Sequence, residues 1–566
     1  MESRNYILGI FPNKNSSACL LKNGEIIAVG EEERFNRIKT TSSLPIQSIR
    51  YVLKEASISF KEVDHIAIAW DCLKYPNHMD NFRSRELKGR TELDELIDQI
   101  KTTNWNPNYL EFQLQTQIGE TLPPIHYIPH HRSHAASTYY LSGFDESLIL
   151  TIDGSGEEHA TIIWYGSGTN IEKVKEINLP NSLGWFYSAI TEFLGFKAYT
   201  GEGKVMGLAP YGNDVKEIKE KLRKIIQIKE DSYTIDPSYI YFDKRTKSNK
   251  FTDKLTDLLG TPRNHGEDFT QYHKDIAFCV QDLLEEAVEN LVRWGIKQTG
   301  LKNICIAGGV GMNCKMNGKI RSMKEVDDVF VIPPSSDNGA SIGSALQLYK
   351  DLGFNPKQYK MQHAYYGPSF SNEEIKHVLD YCKVNYTYHK DIEKVTAEKI
   401  YKNKIIGWFQ GRMEIGSRAL GNRSILGNPL NEDMKDIINS QVKHRESYRP
   451  FCPSMLQEDA NKYLKNIESA PFMIVAYDAK DGIKEKLPAV VHEDNSVRPQ
   501  TVCKEDNKRY WNLINEFKSL SGESVILNTS FNIAGEPVVC TPQDAVRCFY
   551  GTGIDVLVIG NYLIEK

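Results

Sequence analysis

No two of the ten cysteines stand in a Cys-x-x-Cys pair, so the chain has neither the spacing of a zinc ribbon nor a disulfide framework. Reduced, mostly buried thiols are expected. No uninterrupted apolar run approaches the roughly 20 residues of a membrane span. The opening Met1-Glu2-Ser3-Arg4-Asn5-Tyr6 lacks the charged-then-apolar pattern of a signal peptide, so a cytoplasmic setting is expected. There is no excess of one charge: the net value is -5 with both signs interspersed, which gives no field to draw nucleic acid or an anionic membrane. Low-complexity segments and long charge blocks are absent as well.

What is present is ordinary globular material, 40% apolar, 25% charged and 10% aromatic. At 566 residues the chain exceeds what one core usually organises, so two or three domains are expected.

Tyr6–Ile10, Ser16–Leu21 and Glu25–Val29 read as three strands, with Asn23-Gly24 as a primed hairpin turn. A similar run recurs after Asp145: strand Leu148–Ile152, turn Asp153-Gly154-Ser155-Gly156, then strands Ala160–Tyr165 and Ile171–Val174. The repetition suggests an internal duplication, by fold-level analogy the ribonuclease-H-like type of sugar kinases, heat-shock ATPases and actin. Ile276, Val280, Leu283, Leu284, Ala287, Val288 and Leu291 follow helical spacing, and strand Ile304–Ala307 then runs into Gly308-Gly309.

The polar, aperiodic stretch Asp351–Ser369 places a domain boundary, giving domains 1–355 and 356–566. The second reads as mixed α/β: helix from Asn372, strand Ile405–Phe409, helix Glu432–Asn439, strand Val525–Leu527, helix Pro542–Tyr550 and strand Val556–Ile559. The stretches Trp70–Glu111 and Lys229–His265 have no clear pattern and are read as loops that shape an acceptor site.

His130 and His134 stand at i and i+4, on one helical face, where two imidazoles can share a metal; the alternative is that one caps and the other packs. Asp153 and Asp337 each fall at a strand end. Two histidines and two aspartates suit Fe(II), Mn(II) or Zn(II) with open positions. Gly308, Gly309 and Asn313 lie in a glycine-rich stretch that either admits a nucleotide or serves tight packing. Gly201–Gly207 either presents Lys204 to a phosphate or is a turn with a solvated lysine; it is not a Walker A motif.

Arg412, Arg418, Arg423, Lys443, Arg445, Arg449 and Arg498 alternate with glycine and apolar residues. Buried guanidinium groups need an anion, so a phosphate or carboxylate is read as their partner rather than solvent. Asn528-Thr529-Ser530-Phe531-Asn532 supplies neutral hydrogen-bonding groups at a strand end, for a ligand or for a turn.

Taken in order, several motifs resemble the O-carbamoyltransferases of nodulation-factor and antibiotic biosynthesis. They are Glu31–Phe35, His130–His134 with Asp153, Ser182–Gly184 with Phe186-Tyr187, Gly203–Ala209, Gly308–Asn313, Gly416–Arg423, Lys443–Pro450 and Asn528–Asn532. The resemblance runs through nearly the whole chain. It implies an ASKHA-type, ribonuclease-H-like N-terminal transfer domain and a YrdC-like C-terminal domain, with two sites sharing one chamber. It further implies that carbamoyl phosphate and ATP give carbamoyl adenylate and pyrophosphate, and that carbamoyl then passes to a hydroxyl of a small-molecule acceptor with release of AMP. Arg418, Lys443, Arg449, Arg498, Asn528 and Ser530 would hold carbamoyl phosphate and ATP, with Lys39 also reaching a phosphate. Iron would sit on His130, His134, Asp153 and Asp337. Gly184, Lys204, Gly207 and Asn313, together with Gly308, Gly309 and Asp337, would line the adenylate site. Mg(II) would accompany ATP, and a homodimer is in keeping with a large enzyme.

The chemistry is coherent, because a carbamate is a poor electrophile until it carries a good leaving group and its carbonyl is polarised. One departure stands out: the family's His-Asp before a small-residue run is here Lys14-Asn15-Ser16-Ser17-Ala18. Lys14 serves as a base only if burial and the metal lower its pKa. The rival readings are a sugar- or metabolite-kinase of the ASKHA type and a nucleotide-binding regulator that has lost transfer.

Overall fold

The structure is a computed structural model describing residues 5–73, 106–241 and 250–566. Much of the two stretches read as acceptor-shaping loops, residues 74–105 and 242–249, lies outside the described residues. The chain divides into two units: Met1–Glu32 with Thr41–Met361, and Glu33–Thr40 with Gln362–Lys566.

The first unit contains the same strand arrangement twice. β1 (Tyr6–Phe11), β2 (Ser17–Lys22) and β3 (Glu25–Glu31) form an antiparallel meander, and β4 (His65–Ile68) and β5 (Ile125–Tyr127) add in parallel beside β1, giving the order β3-β2-β1-β4-β5. In the second copy β6 (Glu146–Gly156), β7 (His159–Ser167) and β8 (Asn170–Asn178) are the meander. β9 (Ile226–Ile228) and β10 (Tyr233–Ile235) form a separate ribbon, after which β11 (Asn303–Ala307) and β12 (Asp328–Val331) extend the sheet in parallel: β12-β11-β6-β7-β8. The duplication expected from the sequence is therefore present. Asn23 and Gly24 both have positive φ, 52° and 81°, as a primed hairpin turn requires.

The segment Asp153–Gly156 departs from expectation. It is not the turn but the end of β6, where the register with β7 shifts between Ile152 and Gly156; the reversal comes at Glu157-Glu158. Such a bulge re-aims side chains without ending the strand.

Helix His130–Tyr139 is buried along its length and is crossed by helix Ala340–Asp351. Their approach is so close that a Cβ on Gly343 would stand 1.7 Å from the Ser133 carbonyl oxygen, which fixes the histidine helix in place. The long helix Gln271–Thr299 buries all seven of the apolar positions read from its periodicity and ends on Gly300 in the left-handed conformation.

The second unit is built on an eight-stranded mixed sheet, in the order β13-β22-β21-β14-β15-β20-β16-β19. These strands are β13 (Thr387–Tyr388), β14 (Ile406–Phe409), β15 (Arg423–Gly427), β16 (Cys452–Leu456), β19 (Gln500–Val502), β20 (Val525–Ser530), β21 (Val556–Ile559) and β22 (Tyr562–Glu565). β17 (Tyr477–Asp478) and β18 (Ser496–Val497) form a small separate pair. The helix Pro542–Tyr550 opens with Thr541 and Asp544 in a reciprocal capping box.

Candidate metal centre and anion cluster

In the first unit four donors converge. His130 and His134 project from the same face of their helix, with Nε2 atoms 3.0 Å apart. Asp153 Oδ2 stands 3.1 Å from His130 Nε2 and 3.5 Å from His134 Nε2. Asp337, in the short helical turn Asp337–Gly339, places Oδ1 at 3.6 and 3.8 Å from the same two atoms.

Asp153 and His130 are aimed from behind. The bulge turns Asp153 so that its Oδ1 accepts from the amides of Gly154 (2.8 Å) and Gly309 (3.0 Å), leaving Oδ2 to the histidines. His130 Nδ1 donates to the Ala69 carbonyl at 3.2 Å, so in the neutral ring the lone pair lies on Nε2. The His130 amide donates to Glu157 at 3.0 Å, and the Asp71 amide donates to the same carboxylate at 2.8 Å. The Trp70 ring closes the side, its centroid 4.7 Å from that of His130.

The separations of the donor atoms bear on the fit to a metal. Ligand atoms at roughly 2.0–2.2 Å from one ion lie about 3.0–3.5 Å apart when adjacent in octahedral or tetrahedral geometry. The four donor atoms, all within 4.8 Å of one another, approach that pattern, and two carboxylates with two neutral imidazoles balance a divalent charge. Without a cation the same crowding is met by protons. Burial alone would lower His130, but its hydrogen bonds to Asp153 and Asp337 push it up to about 10. Burial likewise opposes ionisation of Asp153, yet His130 and His134 hold it well below the usual carboxylate range. His131 faces the other way, its Nε2 donating to the His159 carbonyl at 3.1 Å, and burial with the neighbouring His130 keeps it well below the usual imidazole range.

Gly308 has φ 94°, and a Cβ there would lie 2.3 Å from the Ile152 carbonyl oxygen, so tight packing alone demands glycine. Gly309 serves Asp153 through its amide. Gly184 lies in the first turn of helix Leu183–Phe193. Asn313 caps helix Cys314–Arg321, accepting from the Met316 amide at 3.0 Å, and exchanges two bonds with the Gln281 amide at 3.0 and 2.9 Å. Lys204 and Gly207 are not in a turn but in helix Glu202–Leu208, with the Lys204 ammonium 5.2 Å from the centre of the Phe196 ring. Lys14 is half-buried, its ammonium 3.9 Å over the Tyr199 ring.

In the second unit, positive charge gathers with few carboxylates. Lys443 ends a π-helical turn, Asn439–Lys443, and is buried, its ammonium donating to the Asn532 carbonyl (2.9 Å), to Asn532 Oδ1 (3.0 Å) and to the Ser530 carbonyl. Burial and then Arg445 hold Lys443 well below the usual lysine range, with Lys39 and Arg449 adding to the repulsion. Lys39 belongs to the short segment of the N-terminal chain that forms part of this unit. Burial and Arg449 bring Arg445 down to about 9, and Arg449 is lowered chiefly by burial. Arg498 donates twice to the Cys452 sulfur.

Asn528, opposite Cys452 in the β16–β20 register, donates to the Ala419 carbonyl (3.1 Å) and to Ser454 Oγ (3.0 Å), while Ser530 Oγ donates to Asn532 Oδ1 at 2.6 Å. Arg418 is half-buried on the loop that leads into β15.

Two arginines read as anion partners have another role. Arg423 is fully buried and donates to the main-chain carbonyls of Gln410, Gly411, Asn422 and Pro368, its guanidinium 3.7 Å over the Phe409 ring. Arg412 donates to the carbonyls of Tyr366 (3.0 Å) and Gly367 (3.3 Å). Glu157 and Cys452 did not emerge from the sequence, because neither belongs to a local pattern that marks its contact.

Comparison with known proteins shows the family of the chain. The carbamoyltransferase N-terminus family model matches residues 6–346 and the carbamoyltransferase C-terminus model matches 397–566. The chain belongs to the carbamoyltransferase family. Among relatives, this carbamoyltransferase is 36% identical to nodulation protein NolNO of Sinorhizobium fredii, over 98% of its own length and 79% of the relative's. It is 34% identical to nodulation protein U of Sinorhizobium fredii, over 96% of each chain. An uncharacterized Synechocystis protein, sll1178, is 37% identical over 99% of this chain and 97% of its own. Among solved structures, full-length HypF in its phosphate- and nucleotide-bound form aligns with 62% of this carbamoyltransferase and 47% of its own chain. The identity is 15% and the TM-score 0.33, too slight a likeness to bear on the fold. The enzyme is thus a carbamoyltransferase of the type that includes the nodulation proteins, as its motifs indicated.

Proposed function

We propose that this enzyme is an ATP-dependent O-carbamoyltransferase in which the second unit makes carbamoyl adenylate from carbamoyl phosphate and ATP. The first unit then passes the carbamoyl group to a hydroxyl of a small natural-product acceptor, with AMP as leaving group. The reading of the first unit as ribonuclease-H-like and the second as YrdC-like belongs to the same proposal. The observation that carries it is the pairing, in one carbamoyltransferase chain, of a four-donor centre that fits a divalent cation with a buried cluster of lysine and arginines that fits phosphate.

In the second unit Arg449 and Arg498 would hold the phosphates of the two substrates, with Lys443, held by the Asn532 and Ser530 oxygens, adding positive charge behind them, and Asn528 and Ser530 would orient the carbamoyl amide. In the first unit His130, His134, Asp153 and Asp337 would hold Fe(II) or another divalent ion, which when bound supplies Lewis-acid polarisation of a carbonyl. Trp70 and the buried histidine helix keep water from the rear of that centre. All ten cysteines are free, which accords with a reducing, cytoplasmic setting. Among the described residues no helix is long and apolar enough to cross a membrane.

The test is to incubate the purified chain with Fe(II), ATP and labelled carbamoyl phosphate, without acceptor. Pyrophosphate formed only when carbamoyl phosphate is present supports the reading, and ADP in place of pyrophosphate would return a kinase to the front.

A further inference from the structure

Lys443, Ser530 and Asn532 form a hydrogen-bonded triangle at the carboxyl end of β20. Lys443 Nζ faces the Ser530 carbonyl, the Asn532 carbonyl at 2.9 Å and Asn532 Oδ1 at 3.0 Å, with Ser530 Oγ the farthest of its four partners at 3.3 Å. Asn532 is 8% exposed, and its partners fix which way round its amide lies. Nδ2 donates to the Ile533 and Glu536 carbonyls at 3.0 and 2.8 Å, and carbonyls only accept, so Oδ1 is the atom turned to Lys443 and Ser530. An amide oxygen has no hydrogen to give. The 2.6 Å contact between Ser530 Oγ and Asn532 Oδ1 is therefore made with the serine hydrogen.

A hydroxyl carries one hydrogen and two lone pairs. With its hydrogen committed to Asn532, Ser530 Oγ keeps only acceptor capacity for whatever approaches from its other side. The charge of Lys443 does not alter this: an ammonium donates to Oγ, and a neutral amine would draw the same hydrogen inward. Ser530 is half-buried, beside a lysine that Arg445 and Arg449 repel, and so stands at the anion cluster. A phosphate oxygen finds no donor in this hydroxyl, whereas an N–H finds an acceptor. Carbamoyl phosphate carries an amino group on its acyl carbon where acetyl phosphate carries a methyl group.

We propose that Asn532 is a positioning residue that fixes Ser530 as a hydrogen-bond acceptor, so that the second unit selects an acyl phosphate with N–H on its acyl carbon over one with a methyl group. This rests on the reading of Ser530 as a residue that meets the carbamoyl amide.

The experiment measures the KM for carbamoyl phosphate, and the KI of acetyl phosphate as its competitor, in carbamoyl-phosphate-dependent pyrophosphate release by the full chain. The proteins are the wild type, Ser530→Ala, Asn532→Ala, Asn532→Asp and the double variant Ser530→Ala, Asn532→Ala. Both ligands carry the same phosphate, so damage to the anion cluster moves the two constants together. The ratio KI/KM then reads the acyl group, whatever fraction of the protein is folded. Ser530→Ala is expected to lower the ratio about tenfold and Asn532→Ala about fivefold, with the double variant no lower than Ser530→Ala, because Asn532 acts through Ser530. Asn532→Asp keeps an acceptor oxygen for the serine hydrogen and is expected within about twofold of wild type. A wild-type ratio in Ser530→Ala or Asn532→Ala, or losses that add in the double variant, overturns the inference and leaves carbamoyl-adenylate formation standing. Should an alanine variant give no active protein, the aspartate variant decides, and a ratio more than about twofold below wild type overturns the inference. A wild type that releases no pyrophosphate with carbamoyl phosphate removes the proposed function and the inference together.

Discussion

The two units solve opposite electrostatic problems by similar means. In the first, two carboxylates and two imidazoles are pressed together with their ligand atoms within reach of one cation. In the second, a lysine and several arginines are buried close enough to repel one another, a charge of the opposite sign. In both, the groups are held by main-chain contacts: the Gly154 and Gly309 amides behind Asp153, and the Asn532 and Ser530 carbonyls behind Lys443. The contrast teaches that a buried cluster of one charge is costly without a partner, and under the proposed function the two clusters take ligands of opposite sign.

The sharpest break between the two is expected from removing a first-unit donor. His134→Ala should cut carbamoyl transfer by about a thousandfold, or about 4 kcal/mol of barrier, with pyrophosphate formation retained, as read by product release with and without acceptor. Arg498→Ala should do the reverse, raising KM for carbamoyl phosphate by about a hundredfold, about 2.7 kcal/mol, while leaving metal content by elemental analysis unchanged. Glu157→Gln keeps the size of the group that accepts from the His130 amide but removes its charge; metal affinity should fall by about tenfold in a competitive chelator titration. Lys14→Ala should have the smallest effect on turnover, within about tenfold, because its ammonium packs on the Tyr199 ring and is not among the four converging donors.

Proton linkage separates the two sites by sign. His130, raised to about 10, is protonated in the metal-free enzyme near neutrality, so a cation must displace that proton. Metal affinity should therefore rise with pH from 6 toward 8, with proton release detected by calorimetry in buffers of different ionisation enthalpy. Lys443 is pushed down by burial and by Arg445, so an anion should draw a proton in, and phosphate binding should weaken over the same rise in pH.

Much of this was legible in the sequence where local pattern decides. The helix Pro542–Tyr550 and the strand Val556–Ile559 occur at the residues their periodicity marked, and the i, i+4 histidines do share a helix face. The sequence misled where partners come from elsewhere in the chain. The apolar run marks β20 only as far as Leu527, yet Asn528, Thr529 and Ser530 remain in register with β15, because pairing and not side-chain polarity sets where a strand stops. Arg423 looked like an anion ligand; its charge is met by carbonyls in the turn near Gly411 and by that of Pro368, and no residue spacing reveals such a cradle. Lys204 sits in a helix although glycines surround it, since the tertiary packing of Val205 and Leu208 outweighs their low propensity.

The most direct test of the division of labour uses a His130→Ala, His134→Ala double variant, incubated with ATP and labelled carbamoyl phosphate in the absence of acceptor. Carbamoyl-phosphate-dependent pyrophosphate at close to the wild-type rate is the expected result. Loss of that pyrophosphate in a protein that still melts cooperatively would contradict the assignment of adenylate formation to the second unit.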